Sequence, residues 1–297
     1  MQQISSAAFS DTKPHYELLD GLRGVAALLV VWYHVFEGYA FAGGTLIESI
    51  NHGYLAVDFF FILSGFVIGY AYDDRWGKSL TVKNFFKRRL IRLHPMVVMG
   101  AVLGVITFCI QGSEQWDGTH VATSMVMWAL LFEMFFIPAY PGAGYEVRGN
   151  GEMFPLNGPS WSLFFEYIGN ILYALFVRKF NKVALSVLVF VAGCFTVYRC
   201  LTAPAGDIVG GWALNWEQQY VGMVRLMYPF FGGLLLSRLG WLIRLEKRAF
   251  WWCSLLIVVV LSIPRIGGED GYWMNGLYEA FCIICIFPVI VLSLIHI

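Results

Sequence analysis

An arginine and a histidine stand eleven positions apart in an otherwise apolar run, Arg23 and His34 in DGLRGVAALLVVWYH. In a helix that interval is about three turns, so the two side chains share a face, roughly 16 Å apart along the axis. A histidine in such a place suits proton transfer near neutral pH; it equally suits a hydrogen bond between packed helices. Asp58, near the start of the next apolar run, can orient the imidazole of His34 or hold its proton, or simply sit at an interface. The stretch KNFFKRRLIRLHP over 83–95 is basic and amphipathic, with Arg88 and Arg92 four residues apart and Arg89 and Arg92 three apart. Planar guanidiniums one turn apart can clamp phosphates. The same residues also serve as a cytoplasmic flank or a contact for anionic lipid. Glu166 falls roughly on one helix face with Ser162, Asn170 and Tyr173, and its available partners are Arg23, Arg225 and His34. Arg225 and Glu279 can also pair between helices.

These groups must be positioned by apolar helices. The chain has 297 residues, of which 58% are hydrophobic, 17% aromatic and only 13% charged, with mean hydropathy +0.65. Soluble domains carry about 25% charged residues, and so few charges cannot cover a water-facing surface of this size. Twenty basic and twenty acidic residues cancel, which argues against a nucleic-acid binder. The six cysteines lie mostly in apolar runs and read as helix fillers. Cys282 and Cys285 have metal-ligand spacing, but neither a second pair nor a histidine cluster accompanies them, so no metal site is expected. The class that remains is all-α: a polytopic transmembrane helical bundle.

The sequence predicts helices at about 20–40, 53–72, 93–111, 157–177, 183–201, 219–237, 249–264 and 276–297. That makes eight spans, or nine if the apolar stretch 120–140 also crosses. Pro95 reads as a helix start, Pro229 as a kink, and Ser160 or Ser162 as a cap. Basic residues cluster at Lys78–Arg92, at Arg178, Lys179 and Lys182, and at Arg238, Arg244, Lys247 and Arg248, whereas the links holding Glu114, Asp117, Asp207, Glu217, Glu269 and Asp270 are acidic. The positive-inside rule places the first cluster in the cytoplasm. If 120–140 crosses fully, the second and third clusters fall outside; if it re-enters or lies at the interface, all three face in. The second reading is preferred, and Glu133 within that stretch suits a helix lining a polar cavity. The N-terminal segment, 1–19, is polar and lacks the pattern of a cleaved signal peptide. Residues 20–297 form one membrane domain, and because the chain ends inside an apolar run it reads either as a tightly ended last span or as C-terminally truncated.

Four stretches together are specific. They are Asp20-Gly21-Leu22-Arg23-Gly24 followed by His34 after ten intervening residues, Val57 to Phe66 (VDFFFILSGF), Arg88 to Pro95 (RRLIRLHP), and Trp161 to Glu166 (WSLFFE). In order and approximate position they resemble the motifs of membrane-bound acyltransferase family 3, integral O-acyltransferases of surface polysaccharides and related acceptors. The resemblance runs from about residue 16 to the C-terminus. His94 stands where tyrosine is common before the proline, and about ten spans are usual in a complete family member.

The resemblance implies an O-acyltransferase that moves an acyl group, acetyl by expectation, from acyl-CoA to a hydroxyl of a glycan or lipid-linked saccharide. It implies a multi-pass protein of the bacterial inner (cytoplasmic) membrane with its N-terminus in the cytoplasm, in contact with membrane lipid and with no nucleic acid. Acyl-CoA is a donor substrate rather than a permanently bound cofactor. In the implied site Arg23, Arg88, Arg89 and Arg92 bind the donor, while His34, Asp58 and Glu166 are catalytic, with Asp58 or Glu166 steadying the imidazole. Either direct transfer or an acyl-enzyme on His34 is compatible with these residues. A transporter or flippase with a buried proton relay is the competing class, and a structural membrane subunit a third.

Overall fold

The computed structural model describes residues 16–41, 51–241, 243, 248–267 and 271–294. It is all-α. Helices α1 (Glu17–Phe41), α2 (Ala56–Tyr72, preceded by the 3-10 turn Gly53–Leu55), α3 (Val82–Ile110), α4 (Thr123–Met134), α5 (Ser160–Leu175), α6 (Lys182–Thr202), α7 (Trp216–Leu239) and α8 (Ala249–Ser262) are followed by α9 (Tyr272–Phe281) and α10 (Phe287–Leu294). The last two are joined into one rod by a π-helical turn, Cys282–Ile286. Pro288 has no N–H to offer the Ile284 carbonyl, and the Tyr228 hydroxyl donates to that carbonyl instead, at 3.1 Å.

The expectation of eight or nine spans, and of ten in a complete member, is corrected. Among the described residues six helices are long and apolar enough to cross a membrane: Glu17–Gly38, Gly53–Tyr72, Val82–Ile110, Lys182–Thr202, Trp216–Leu239 and Tyr272–Ser293. The others fall short for a physical reason. α4, α8 and α5 have 12, 14 and 16 residues, which at about 1.5 Å per residue is less than the roughly 30 Å of a hydrocarbon core. Hydropathy registered the apolar residues flanking each helix, but those residues are in links.

Side-chain contacts show which link lies at which end. After α2, Asp73 accepts from Arg238 near the end of α7, with Nε to Oδ2 at 2.6 Å. Arg238 also donates to the Phe180 carbonyl after α5 at 2.8 Å, and the Arg178 guanidinium lies 4.3 Å over Trp76. Arg178 and Arg238, of the second and third basic clusters, therefore meet the link after α2 that leads into the first; Arg244 and Lys247 lie outside the described residues. At the opposite end, Met153 N–H donates to the Trp212 carbonyl at 2.7 Å and Asn275 donates to the Gly206 carbonyl at 2.7 Å. α3 leaves the basic end, and the irregular segment after α4 together with α5 brings the chain back to it, so α4 does not itself cross. The irregular segment after α4 packs against α3. A Cβ on Gly104 would lie 2.1 Å from the Leu156 carbonyl oxygen, and one on Gly100 would lie 2.2 Å from Asn157 Nδ2. Non-helical backbone at this depth is tolerable because protein covers it.

α3 does not begin at Pro95. It begins at Val82, where Thr81 Oγ1 accepts from Asn84 N–H at 3.2 Å, and it runs through the proline. A single buried stripe, Phe85, Arg89, Leu93, Val97 and Ala101, continues across Pro95 at four-residue spacing. Its burial outweighs one lost backbone hydrogen bond. α5 has no side-chain cap at Pro159; Ser162 Oγ donates to the Pro159 carbonyl instead. At the centre α2 and α7 pack together most extensively. They approach through glycine, since a Cβ on Gly65 would sit 1.7 Å from the Phe230 carbonyl oxygen and one on Gly233 would sit 2.0 Å from that of Ile62. Small residues let helix backbones touch where no hydrophobic gain is available between apolar surfaces.

Candidate active site

Arg23 lies on α1 near the basic end, with a 3.9 Å ion pair to Asp20. It is also within electrostatic reach of Glu166, Arg92 and Arg89. Arg89 is buried and donates to Glu166 Oε1 at 2.6 Å; its Nε has no partner. Arg92 and Arg88 are exposed. The structure thus brings Arg23, Arg89, Arg92 and Glu166, drawn from α1, α3 and α5, into one cluster, with Arg88 on the exposed side of α3. Tyr167 joins it, a hydroxyl without a hydrogen-bond partner in reach of both Arg89 and Glu166.

His34 sits three turns farther along α1, rotated only about 20° from Arg23. Its side chain is 49% exposed, which leaves room for a reactant at the ring. The contact expected with Asp58 or Glu166 is not the one the structure makes. Asp58 is fully buried and pairs with Arg225 across the α2–α7 interface, 2.6 Å from Nη2 to Oδ2. Glu166 pairs with Arg89. Arg225 further donates to the Tyr54 carbonyl at 2.8 Å and stacks 5.0 Å from the Trp161 ring, so it pairs with Asp58 rather than with Glu279. Burial decides these pairings: an arginine and a carboxylate withdrawn from water must find each other or lose their solvation uncompensated.

The carboxylate beside His34 is Glu37. Its Oε2 is 2.8 Å from His34 Nδ1, and its Oε1 accepts from the Tyr33 hydroxyl at 2.9 Å. Sequence reasoning passed over it, although a glutamate three residues after a histidine on a helix is a direct neighbour and needs no tertiary information. On the same side of the fold, Glu152 from the segment after α4 is within reach of Glu37; burial raises its carboxyl above the ordinary value, opposed by the Asn150 hydrogen bond and Arg148. Glu133 of α4 is buried. It accepts from Leu156 N–H at 3.1 Å, which fixes the re-entrant segment.

Glu279 holds the non-basic end together. It accepts from Ile208 N–H at 2.7 Å, from Asn275 at 2.9 Å and from the Tyr54 hydroxyl. His52 contacts the Ile263 carbonyl at 2.6 Å and Asn275 Oδ1 at 2.9 Å. Asp207 pairs with Arg265 at 2.7 Å, and burial raises its carboxyl while Arg265 opposes the shift. Among the described residues no group of three or more metal-ligating side chains occurs.

The family model "Acyltransferase domain" of acyltransferase family 3 matches residues 16–297. "Protein 2 in picA locus" of Rhizobium radiobacter is 36% identical over 164 residues, 53% of this chain and 80% of that protein. "Acyltransferase MdmB" of Streptomyces mycarofaciens is 30% identical over 175 residues, 56% of this chain and 40% of its own length. "Peptidoglycan O-acetyltransferase OatA" of Listeria monocytogenes is 38% identical over 90 residues, 30% of this chain and 13% of its own length. No solved structure matches. With the family match running through every motif described above, the chain belongs to acyltransferase family 3 and is a membrane-associated acyltransferase.

Proposed function

We propose that this protein moves an acyl group, acetyl first among candidates, from acyl-CoA to a hydroxyl of a glycan or lipid-linked saccharide. The observation that carries the reading is the line from the arginine cluster to His34 along one side of α1. Arg23, Arg88, Arg89 and Arg92 hold the phosphates of the donor at the basic end, with Glu166 fixing the Arg89 guanidinium in place. A pantetheine arm extends along α1 toward His34, across the roughly 16 Å that separate the two residues along the helix. The acceptor approaches from the opposite end. His34 Nε2 takes the proton from the acceptor hydroxyl as its oxygen bonds to the thioester carbon. When the tetrahedral intermediate collapses, the C–S bond breaks and the proton passes from Nε2 to the departing sulfur, giving the ester and free CoA. The acceptor class is suggested by the O-acetyltransferase names of relatives such as the Listeria protein.

In this reading the basic end faces the cytoplasm, by the positive-inside rule. Residues 1–19 are a cytoplasmic segment and 20–297 the acyltransferase domain, in a bacterial inner membrane. The test is transfer from radiolabelled acetyl-CoA in membranes containing the wild type or His34→Ala, followed as label in glycan or lipid-linked material. Label that requires His34 is expected. Undiminished transfer by folded His34→Ala would overturn the assignment of the base.

A further inference from the structure

A histidine acts as a base only through the ring nitrogen that bears the lone pair, and which nitrogen that is depends on what the other one touches. Here Nδ1 of His34 is 2.8 Å from Glu37 Oε2. An ionised carboxylate only accepts, so the proton resides on Nδ1 and the lone pair on Nε2, the nitrogen that faces away from Glu37. Glu37 is itself held. Its other oxygen accepts from the Tyr33 hydroxyl at 2.9 Å, and Tyr33 is 5% exposed. The Tyr33 ring packs edge-on against Tyr54 at 5.4 Å and against the His34 ring at 5.1 Å. Close approach makes this possible: a Cβ on Gly53 would lie 2.5 Å from the Tyr33 Cβ. One helical turn therefore carries a buried anchor, a carboxylate fixed by it, and an accessible imidazole fixed by the carboxylate.

We infer that Glu37 is the positioning residue of the transfer reaction, holding His34 in the Nδ1–H tautomer and steadying the imidazolium that forms when Nε2 takes the acceptor proton. The inference rests on the reading of His34 as the base. Neither Asp58 nor Glu166 is free for this task, since each is bound to an arginine. The other charged groups in reach of the pair are Glu152, which faces Glu37, and, through Tyr33, Asp207 and Arg225. None of these is hydrogen-bonded to the imidazole among the described residues. The proton moves from the acceptor oxygen to Nε2 and on to the thiolate, and Glu37 gains and loses none.

The experiment compares wild type, Glu37→Gln, Glu37→Asp, Tyr33→Phe, His34→Ala and His34→Ala/Glu37→Gln as full chains in detergent or nanodiscs, each shown monodisperse, with acetyl-CoA as donor and, as acceptor, the glycan and lipid-linked fraction of host membranes that takes label from the wild type. Glu37→Gln is expected to lower kcat by about 10- to 100-fold, less than the roughly 10⁴ lost with the carboxylate of a buried triad, because the His34 ring is half-exposed. KM for acetyl-CoA should stay within about threefold of wild type, because the donor phosphates lie three turns away. Glu37→Asp should recover part of the loss. Tyr33→Phe, which removes one hydroxyl and tests the same relay if Glu37→Gln folds poorly, should lose several-fold. In the His34→Ala background Glu37→Gln should change nothing further. Nitrogen-15 spectra of histidine-labelled protein should show the Nδ1–H form for His34 in wild type and a mixed tautomer in Glu37→Gln. A Glu37→Gln kcat within twofold of wild type alongside inactive His34→Ala would overturn the inference alone. So would an unchanged tautomer, or an equal further loss in the His34→Ala background. Full activity of His34→Ala would instead overturn the reading of the base.

Discussion

Asp58 offers a direct way to separate structure from chemistry, because the sequence places it near the base and the fold places it under Arg225. Both side chains are essentially inaccessible, 0% and 2% exposed, and their charged atoms meet at 2.6 Å. Asp58→Asn leaves a guanidinium buried without a counter-charge, and breaking such a pair costs about 3–5 kcal/mol. Arg225→Met leaves the opposite charge and should cost a similar amount. The double variant Asp58→Leu/Arg225→Met removes both charges, and replacement of a whole buried pair by apolar residues is typically neutral or better. Arg225 has one further strong duty, donating to the Tyr54 carbonyl at 2.8 Å, and stranding that acceptor costs about 1–3 kcal/mol. The double variant should therefore lose no more than about 3 kcal/mol relative to wild type and lie above either single variant, Arg225→Met stranding the same carbonyl as well as Asp58. Thermal unfolding in a fixed detergent, read by intrinsic tryptophan fluorescence, gives the order: wild type, then the double variant, then both single variants. Transfer per folded molecule should survive in the double variant to within tenfold. A double variant as unstable as the singles would refute the pairing as the source of the cost. A stable but inactive double variant would return Asp58 to the chemistry.

Two other perturbations test the architecture around the site. Gly65→Ala places a methyl 1.7 Å from the Phe230 carbonyl oxygen, so α2 and α7 must part by more than an ångström. The expected loss is at least the roughly 1–3 kcal/mol of ordinary overpacking, read in the same unfolding assay; an unchanged midpoint would show that the helices do not cross there. Glu152→Gln probes pH. Burial raises the folded-state value of this carboxyl above its unfolded one, so the native state binds more protons in that interval and stability falls as pH rises through it. Glu152→Gln should thus unfold at a higher temperature than wild type at pH 8 and at the same temperature near pH 4. An offset independent of pH would contradict the cause.

How much of this could be read from residues alone depended on whether the information was local. Arg23 and His34 share a side of α1 because eleven residues make three turns, whatever surrounds them. Glu37 was equally local. The partners of Asp58, Glu166 and Arg225 were not, since helical period says which face a charge occupies but not which neighbour covers that face. Asp58 reads equally well as an interface residue and Arg225 as a partner of Glu279, whereas their actual pairing, and that of Glu166 with Arg89, is set by the crossing of α2 with α7 and of α3 with α5. The span count failed for a different reason. An apolar residue in a buried link and one in a helix have the same hydropathy, and in α4, α5 and α8 the helical part is too short to cross. At Pro95 a local rule was overridden by a longer stripe of burial.

The distribution of charge also bears on what the fold leaves unfinished. Asp58 with Arg225, Asp73 with Arg238 and Asp207 with Arg265 are matched one to one. Around Arg23 the balance differs: among the described residues Arg89 and Arg92 act on this arginine together with the two carboxylates Glu166 and Asp20, and Arg88 adds a fourth cation next to Arg89. Unmatched positive charge at the edge of a hydrocarbon layer is unfavourable, and at those three places it is removed by pairing. Its retention at the foot of the helix that carries the exposed histidine is what a site would need if an anion is to arrive from that end, supply the missing charge, and extend its uncharged arm toward His34. A multiply phosphorylated donor meets that requirement. A neutral donor would leave the surplus in place through every turnover.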